Sequence, residues 1–163
     1  MACHYDCFFI NGVWVKPHSD DVISLENPAT RAPFATVPDA TPAEAVAAIE
    51  AAASALPAWS ATPLAKRVEL MQKALEIFKT YRDEIIRLEA LELGAPVSYS
   101  ANAHCDYQFI RIESYIRESQ KVVFEEQFEQ STVVREPVGV IACITPWNYP
   151  LGQVVKRNDF FPG

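Results

Sequence analysis

The sequence predicts an α/β protein that is rich in helix through its middle. Three observations predict it. Short alternating apolar runs divided by turn residues occupy positions 8–37. From Thr41 to about Glu118, apolar residues recur at helical spacing. Val138–Ile144 is apolar and largely β-branched, as in a strand buried on both faces of a parallel sheet.

The totals bound the reading. A chain of 163 residues, 50% hydrophobic and 21% charged, predicts one domain with a sizeable core. Its net charge of −7 argues against a nucleic-acid surface, which needs a basic patch, and disfavours an anionic membrane. The run Val138–Ile144 is far shorter than the roughly 18 apolar residues of a membrane span. Met1–Phe8 lacks the basic and apolar regions of a signal peptide, so the expected compartment is the cytoplasm. Cys3, Cys7, Cys105 and Cys143 have irregular spacings and are expected as thiols. Cys3-His4-x-x-Cys7 lacks a second ligand pair, so no metal site is expected. Gly12, Gly94, Gly139, Gly152 and Gly163 build neither glycine-rich phosphate loop.

In chain order, Phe8–Val15 reads as a β-hairpin, because both residues of Asn11-Gly12 tolerate positive φ. Val22–Leu25 and Pro33–Val37 are short strands, divided by the turn Glu26–Arg31. Thr41-Pro42-Ala43-Glu44 is a capping box with proline at the first helical position. That helix is expected to stop at Pro57. Thr62-Pro63 repeats the start. Leu64, Val68, Met71, Leu75, Phe78, Ile85 and Leu88 then mark one long helix, ended by Gly94 and Pro96. A third helix spans Val97 to about Glu118, burying Phe109, Ile112 and Ile116. Lys121–Phe128 and Ser131–Glu136 are two strands. Val138–Ile144 is a further strand, and the loop at its carboxyl end, Thr145–Pro150, is where an open α/β sheet places its ligand. Pro150 suits the first position of a following helix.

That loop holds the candidate chemistry. Trp147 can pack against a flat cofactor or wall a pocket, and the Asn148 amide can donate to a developing oxyanion. Equally, proline and asparagine can do turn work while tryptophan fills a gap. Spacing alone favours the turn.

Glu136-Pro-Val-Gly-Val-Ile-Ala-Cys-Ile-Thr-Pro-Trp-Asn-Tyr-Pro-Leu151 closely resembles the aldehyde dehydrogenase superfamily at the first strand and loop of its NAD(P)-binding domain. Phe9-Ile-Asn-Gly-Val-Trp14, Glu26-Asn-Pro-Ala-Thr30 and Leu88-Glu-Ala-Leu-Glu-Leu-Gly-Ala-Pro96 resemble that family in the same order. The likeness runs from Phe8 to about Val155. It implies the helix-rich amino-terminal part of that fold: a leading β-hairpin, two arm strands and the first strand of an incomplete Rossmann-like sheet. The implied segments are 1–40 for the hairpin and short strands, 41–118 for the helices of the cofactor-binding domain and 119–137 for the oligomerisation arm. Residues 138–155 would hold the first strand, the Pro-Trp-Asn loop and the helix start, with 156–163 an aberrant tail.

The resemblance also implies a reaction, the oxidation of an aldehyde to a carboxylic acid with NAD or NADP. In the family a cysteine thiolate forms a thiohemiacetal, hydride passes to the nicotinamide, and a glutamate activates water to release the acid. Carried over by position, Asn148 is the oxyanion-hole donor, while Ile144, Thr145, Pro146 and Trp147 line the cofactor channel. The strands Lys121–Phe128 and Ser131–Glu136 would pair with a neighbouring subunit of a homo-oligomer.

The chain departs from the family after Val155, where Lys156-Arg-Asn-Asp-Phe-Phe-Pro-Gly163 is polar in place of an apolar helix. A frameshift, a retained intron or a misplaced gene boundary is the expectation, and the family's nucleophilic cysteine and general-base glutamate fall outside this chain. Neither Cys143, expected buried in its strand, nor Cys105, beside His104 but pointing elsewhere on its helix, is expected to substitute. The resemblance implies that Glu92 contributes to a monovalent-cation site seen in some relatives. Glu125, Glu126 and Glu129 read as a solvated cluster. Two functions follow: part of an aldehyde dehydrogenase, or a non-catalytic module that binds full-length subunits through its arm strands.

Overall fold

The computed structural model describes residues 6–157. Cys3, His4 and the tail residues Asn158–Gly163 lie outside them. The fold is mixed α/β, helix-rich, with small two-stranded sheets. It divides into two compact units: the residues up to Ser60 with Leu91–Gly94, and Ala61–Ala90 with the residues from Ala95 on.

In the first unit, β1 (Phe8–Ile10) and β2 (Val13–Val15) form the expected antiparallel hairpin, with Phe9 opposite Trp14. Asn11 and Gly12 both take positive φ, 52° and 77°, as a tight turn between twisted strands requires. A second antiparallel pair joins β3 (Val22–Glu26) to β4 (Pro33–Pro38). Asn27 makes the turn between them: its Oδ1 accepts from the amides of Ala29 at 2.9 Å and Thr30 at 3.3 Å.

Helix α1 (Pro42–Ser60) starts at the capping box, with one change. The Thr41 amide donates to Glu44 Oε2 at 2.7 Å, as expected, but the Thr41 hydroxyl also donates to that carboxylate. Glu44 Oε1 accepts the His18 amide at 2.7 Å, tying the segment after β2 to the helix. Pro57 does not stop α1, which runs three residues past it to Ser60. A proline in the last turn removes one backbone bond only, and the alanine-rich helix has high intrinsic propensity.

The long helix expected from Thr62 to Gly94 is two helices, α2 (Leu64–Thr80) and α3 (Arg82–Glu92). Tyr81 divides them without glycine or proline. Its amide closes a tight turn onto Phe78 O at 3.0 Å, and its carbonyl accepts from Ile85 at 2.9 Å to begin α3. The break rotates the buried face, so Ile86 enters the core and Ile85 is only partly covered. Pro63 caps α2 with its carbonyl, accepting from Lys66 and Arg67, so the helix begins one residue later than expected.

The third helix also differs. A single turn, α4 (Val97–Tyr99), leads into a π-helical segment, Ser100–Asp106, and then α5 (Tyr107–Ser119). Phe109, Ile112 and Ile116 are buried as expected. They pack with Val68, Met71, Leu75, Ile86, Cys105 and Val155 into the core of the second unit. Each such side chain contributes about 1.5–3 kcal/mol on burial, which offsets the ordering of these short helices.

The strand pair beyond α5 is shorter than expected. β5 (Glu125–Phe128) and β6 (Ser131–Val134) form an antiparallel hairpin, Glu125 opposite Val134. Val138–Ile144 is not a strand. Val138, Ile141 and Ile144 are 83%, 64% and 87% exposed. A strand needs neighbours for its amides and carbonyls, and no other described strand pairs with this segment. Cys143, expected buried there, is exposed. Helix α6 (Pro150–Arg157) then starts at its proline, as expected. Among the described residues no helix is long and apolar enough to cross a membrane.

Candidate functional site

The turn between the extended segment and α6 carries the sequence-predicted residues. Ile144, Thr145, Pro146, Trp147 and Asn148 all lie on the surface, Trp147 being 80% exposed.

The end of the turn is held far more tightly. Asn148 O accepts from Gln153 Nε2 at 3.2 Å, and Tyr149 O accepts from the Gln153 amide at 2.9 Å. Tyr149 has φ +56°, the left-handed region, which costs energy for a residue with a bulky Cβ substituent. Its ring stacks on His104 with centroids 4.4 Å apart and planes at 27°. Its hydroxyl lies 2.6 Å from the hydroxyl of Tyr99, whose edge meets His104 at 5.2 Å. That hydroxyl bond is the main cause holding the Tyr99 phenol above its ordinary pKa.

His104 is buried, and its Nδ1 lies 2.6 Å from Oε2 of the equally buried Glu89 on α3. Ser100 Oγ, fully buried on the same π-helical segment, has no hydrogen-bond partner among the described residues. Glu89, Tyr99, His104 and Tyr149 thus form a polar and aromatic cluster next in sequence to Asn148. The sequence places His104 beside Cys105 and marks no role for Tyr149. No local pattern could have linked positions 89, 99, 104 and 149, which come from three separate helical elements and a turn.

The thiols of Cys105 and Cys143 differ in burial. Cys105 is fully buried, and that burial pushes its thiol up to about 11, which keeps it protonated and inert. Cys143 is exposed on the extended segment. Glu92 is exposed overall, with its carboxyl raised by partial burial. Glu126 pairs with Arg135 at 2.5 Å, while Glu125 and Glu129 are exposed. Among the described residues no group of three or more His, Cys, Asp or Glu side chains comes together as a metal ion would need.

Comparison with known proteins shows the family. The family model described as aldehyde dehydrogenase matches residues 14–158. A glutarate-semialdehyde dehydrogenase of Pseudomonas putida is 32% identical over 154 residues, covering 91% of this chain and 32% of that protein. An NADP(+) succinate-semialdehyde dehydrogenase of Escherichia coli is 30% identical over 153 residues, with 91% and 32% covered. Among solved structures, an aldehyde dehydrogenase of Mycobacterium tuberculosis complexed with NAD+ is similar at a TM-score of 0.89 and 32% identity, covering 94% of this chain and 33% of that one. Aldehyde dehydrogenase C of Pseudomonas syringae, complexed with NAD+ and octanal, gives a TM-score of 0.89 at 29% identity, with 93% and 31% covered. The chain therefore spans about a third of the length of the relatives it matches.

Proposed function

The chain belongs to the aldehyde dehydrogenase family, and we propose on that premise that it is the amino-terminal part of an NAD(P)-dependent enzyme oxidising an aldehyde to a carboxylic acid. The observation that carries the reading is the turn Thr145–Tyr149. It presents Asn148 at the surface while fixing its backbone against α6. In this reading the Asn148 amide donates to the oxyanion that forms when a cysteine thiolate adds to the aldehyde. The cysteine and the water-activating glutamate would come from sequence outside this chain. An uncovered indole at Trp147 fits one wall for a planar group. Ile144, Thr145 and Pro146 would line the cofactor channel with it. NAD(P)+, when bound, accepts the hydride.

The remaining assignments follow the same premise. Residues 1–40 would be the leading segment, 41–118 helices of the cofactor-binding domain, 119–137 an oligomerisation arm, and 138–155 the segment that supplies the first strand and helix start of a complete NAD(P)-binding domain. The family match runs to residue 158, three residues into the 156–163 stretch expected as an aberrant tail. The compartment is cytoplasmic. The exposed Phe128, Val133 and Val134 on the β5–β6 hairpin support the arm assignment, and equally support a non-catalytic module that binds full-length subunits. Val138–Ile144 would become a strand only on pairing with the rest of the sheet.

The test has two parts. Calorimetric titration of the purified chain with NAD+, and NADH absorbance with a panel of aldehydes, should show neither binding nor turnover; clear turnover would overturn the reading. Joining residues 1–155 to the remaining two thirds of a relative should restore oxidation. In that joined enzyme Asn148→Ala should lower kcat about 100- to 1000-fold. An unchanged kcat would remove Asn148 from the oxyanion hole. Mixed oligomers with a full-length relative on co-expression would favour the module.

A further inference from the structure

We propose that Tyr149, stacked on His104 and joined through its hydroxyl to Tyr99, is the positioning residue that sets Asn148. The inference rests on the reading of Asn148 as the oxyanion donor.

The backbone carries the first part of the argument. Tyr149 adopts φ +56°, although it is neither glycine nor asparagine. A residue stays in that region only where its surroundings over-determine it. Here the ring lies flat on His104 at 4.4 Å, the hydroxyl meets Tyr99 at 2.6 Å, and the carbonyl accepts from Gln153 at 2.9 Å. The platform is itself fixed, because His104 is buried with Nδ1 at 2.6 Å from the buried Glu89 carboxylate. Asn148 is the preceding residue, and its carbonyl is bound by the same Gln153. The peptide between residues 148 and 149 therefore has little freedom, and with it the origin of the Asn148 side chain. An oxyanion donor acts only if it is held where charge will develop.

The π-helical segment explains why the platform exists. Tyr99 and His104 are five residues apart, which at 3.6 residues per turn would place them about 140° apart around a helix. The i→i+5 bonding of a π-helix brings fifth neighbours toward one face. The Tyr107 amide bonds to Asn102 O in that pattern, and the Tyr99 and His104 rings meet at 5.2 Å. A π-bulge is thus what lets both residues hold one tyrosine.

The test uses this chain uniformly labelled with 15N, the Asn148 side-chain signals being identified by their loss in Asn148→Ser. His104→Ala and Tyr149→Ala should move the Asn148 side-chain amide signals to unstructured positions and lower protection of the Gln153 amide at least about tenfold. His104→Phe, which keeps a flat ring but loses the Glu89 contact, should restore part of both. Signals and protection unchanged in folded His104→Ala would overturn the proposal, as would a Phe variant no better than Ala. If either alanine variant unfolds, Tyr99→Phe decides: it removes one hydroxyl at a half-exposed side chain, and should shift signals at residues 148–153 only. No shift there overturns the clamp. In the joined enzyme, His104→Ala should lower kcat with KM nearly unchanged. If the NMR shifts occur but Asn148→Ala leaves kcat intact, the clamp stands and the oxyanion reading falls. If Asn148→Ala lowers kcat but His104→Ala leaves Asn148 unmoved, the clamp alone falls.

Discussion

The Glu44 carboxylate accepts from the amide of Thr41 at 2.7 Å, closing the first turn of α1 onto the residue before it. The same carboxylate accepts the Thr41 hydroxyl and, through its other oxygen, the His18 amide. The Thr41 bond first, then His18, hold its pKa down at about 2 from an ordinary 4.5. A depressed carboxyl stabilises the fold above its unfolded pKa and loses that contribution as pH falls through its folded one. Glu44→Ala should therefore lower the melting temperature at pH 7, on the order of 2–4 °C. The gap from the parent should shrink between pH 4.5 and 2. Glu69, also held at about 2 by Lys66 and Lys73, is half-exposed, so its part should be screened by salt while that of Glu44 persists. Thermal melts across pH and salt decide this, and a pH-independent gap would contradict it.

Gly94 has φ +73°, and a Cβ there would lie 2.7 Å from Pro28 Cγ. Both the backbone conformation and the close ring reject a side chain. Gly94→Ala should cost roughly 1–3 kcal/mol in urea unfolding. A variant as stable as the parent would show that the loop of Pro28 yields freely.

Val138 and Ile144 are 83% and 87% exposed. Replacing both with lysine should change the stability of this chain by less than about 0.5 kcal/mol, as at other surface positions. It should also raise the concentration at which the chain aggregates, since an exposed apolar extended segment seeks partners. Light scattering and urea unfolding measure the two effects. A loss of several kcal/mol would instead mean that the segment is buried in solution.

Alkylation should separate the thiols. Cys105 is fully buried with its thiol pushed up to about 11, whereas Cys143 is exposed. Iodoacetamide at pH 8 should modify Cys143 rapidly and spare Cys105 until urea unfolds the chain, as read by mass spectrometry. Rapid labelling of native Cys105 would refute its burial.

Local chemistry was legible in the sequence wherever one short stretch decides the outcome. Asn11-Gly12, Asn27-Pro28, Thr41-Pro42 and Pro150 mark turns and helix starts because each constrains its own backbone. Helical spacing located Val68, Met71, Leu75, Phe109, Ile112 and Ile116 in the core, because one face of a helix faces one neighbour. The motif around Trp147 and Asn148 carried the family through its order of residues. Tertiary structure alone decided the rest. Val138–Ile144 has the composition of a buried strand, but strand pairing is a property of two segments, and none pairs with it here. Tyr81 breaks a helix that its residues would otherwise continue. The π-bulge at Ser100–Asp106 turns Tyr99 and His104 to one side, and Tyr149 closes on them from fifty positions beyond Tyr99. Such a contact follows from how helices pack around a shared core, which no local window of the sequence contains.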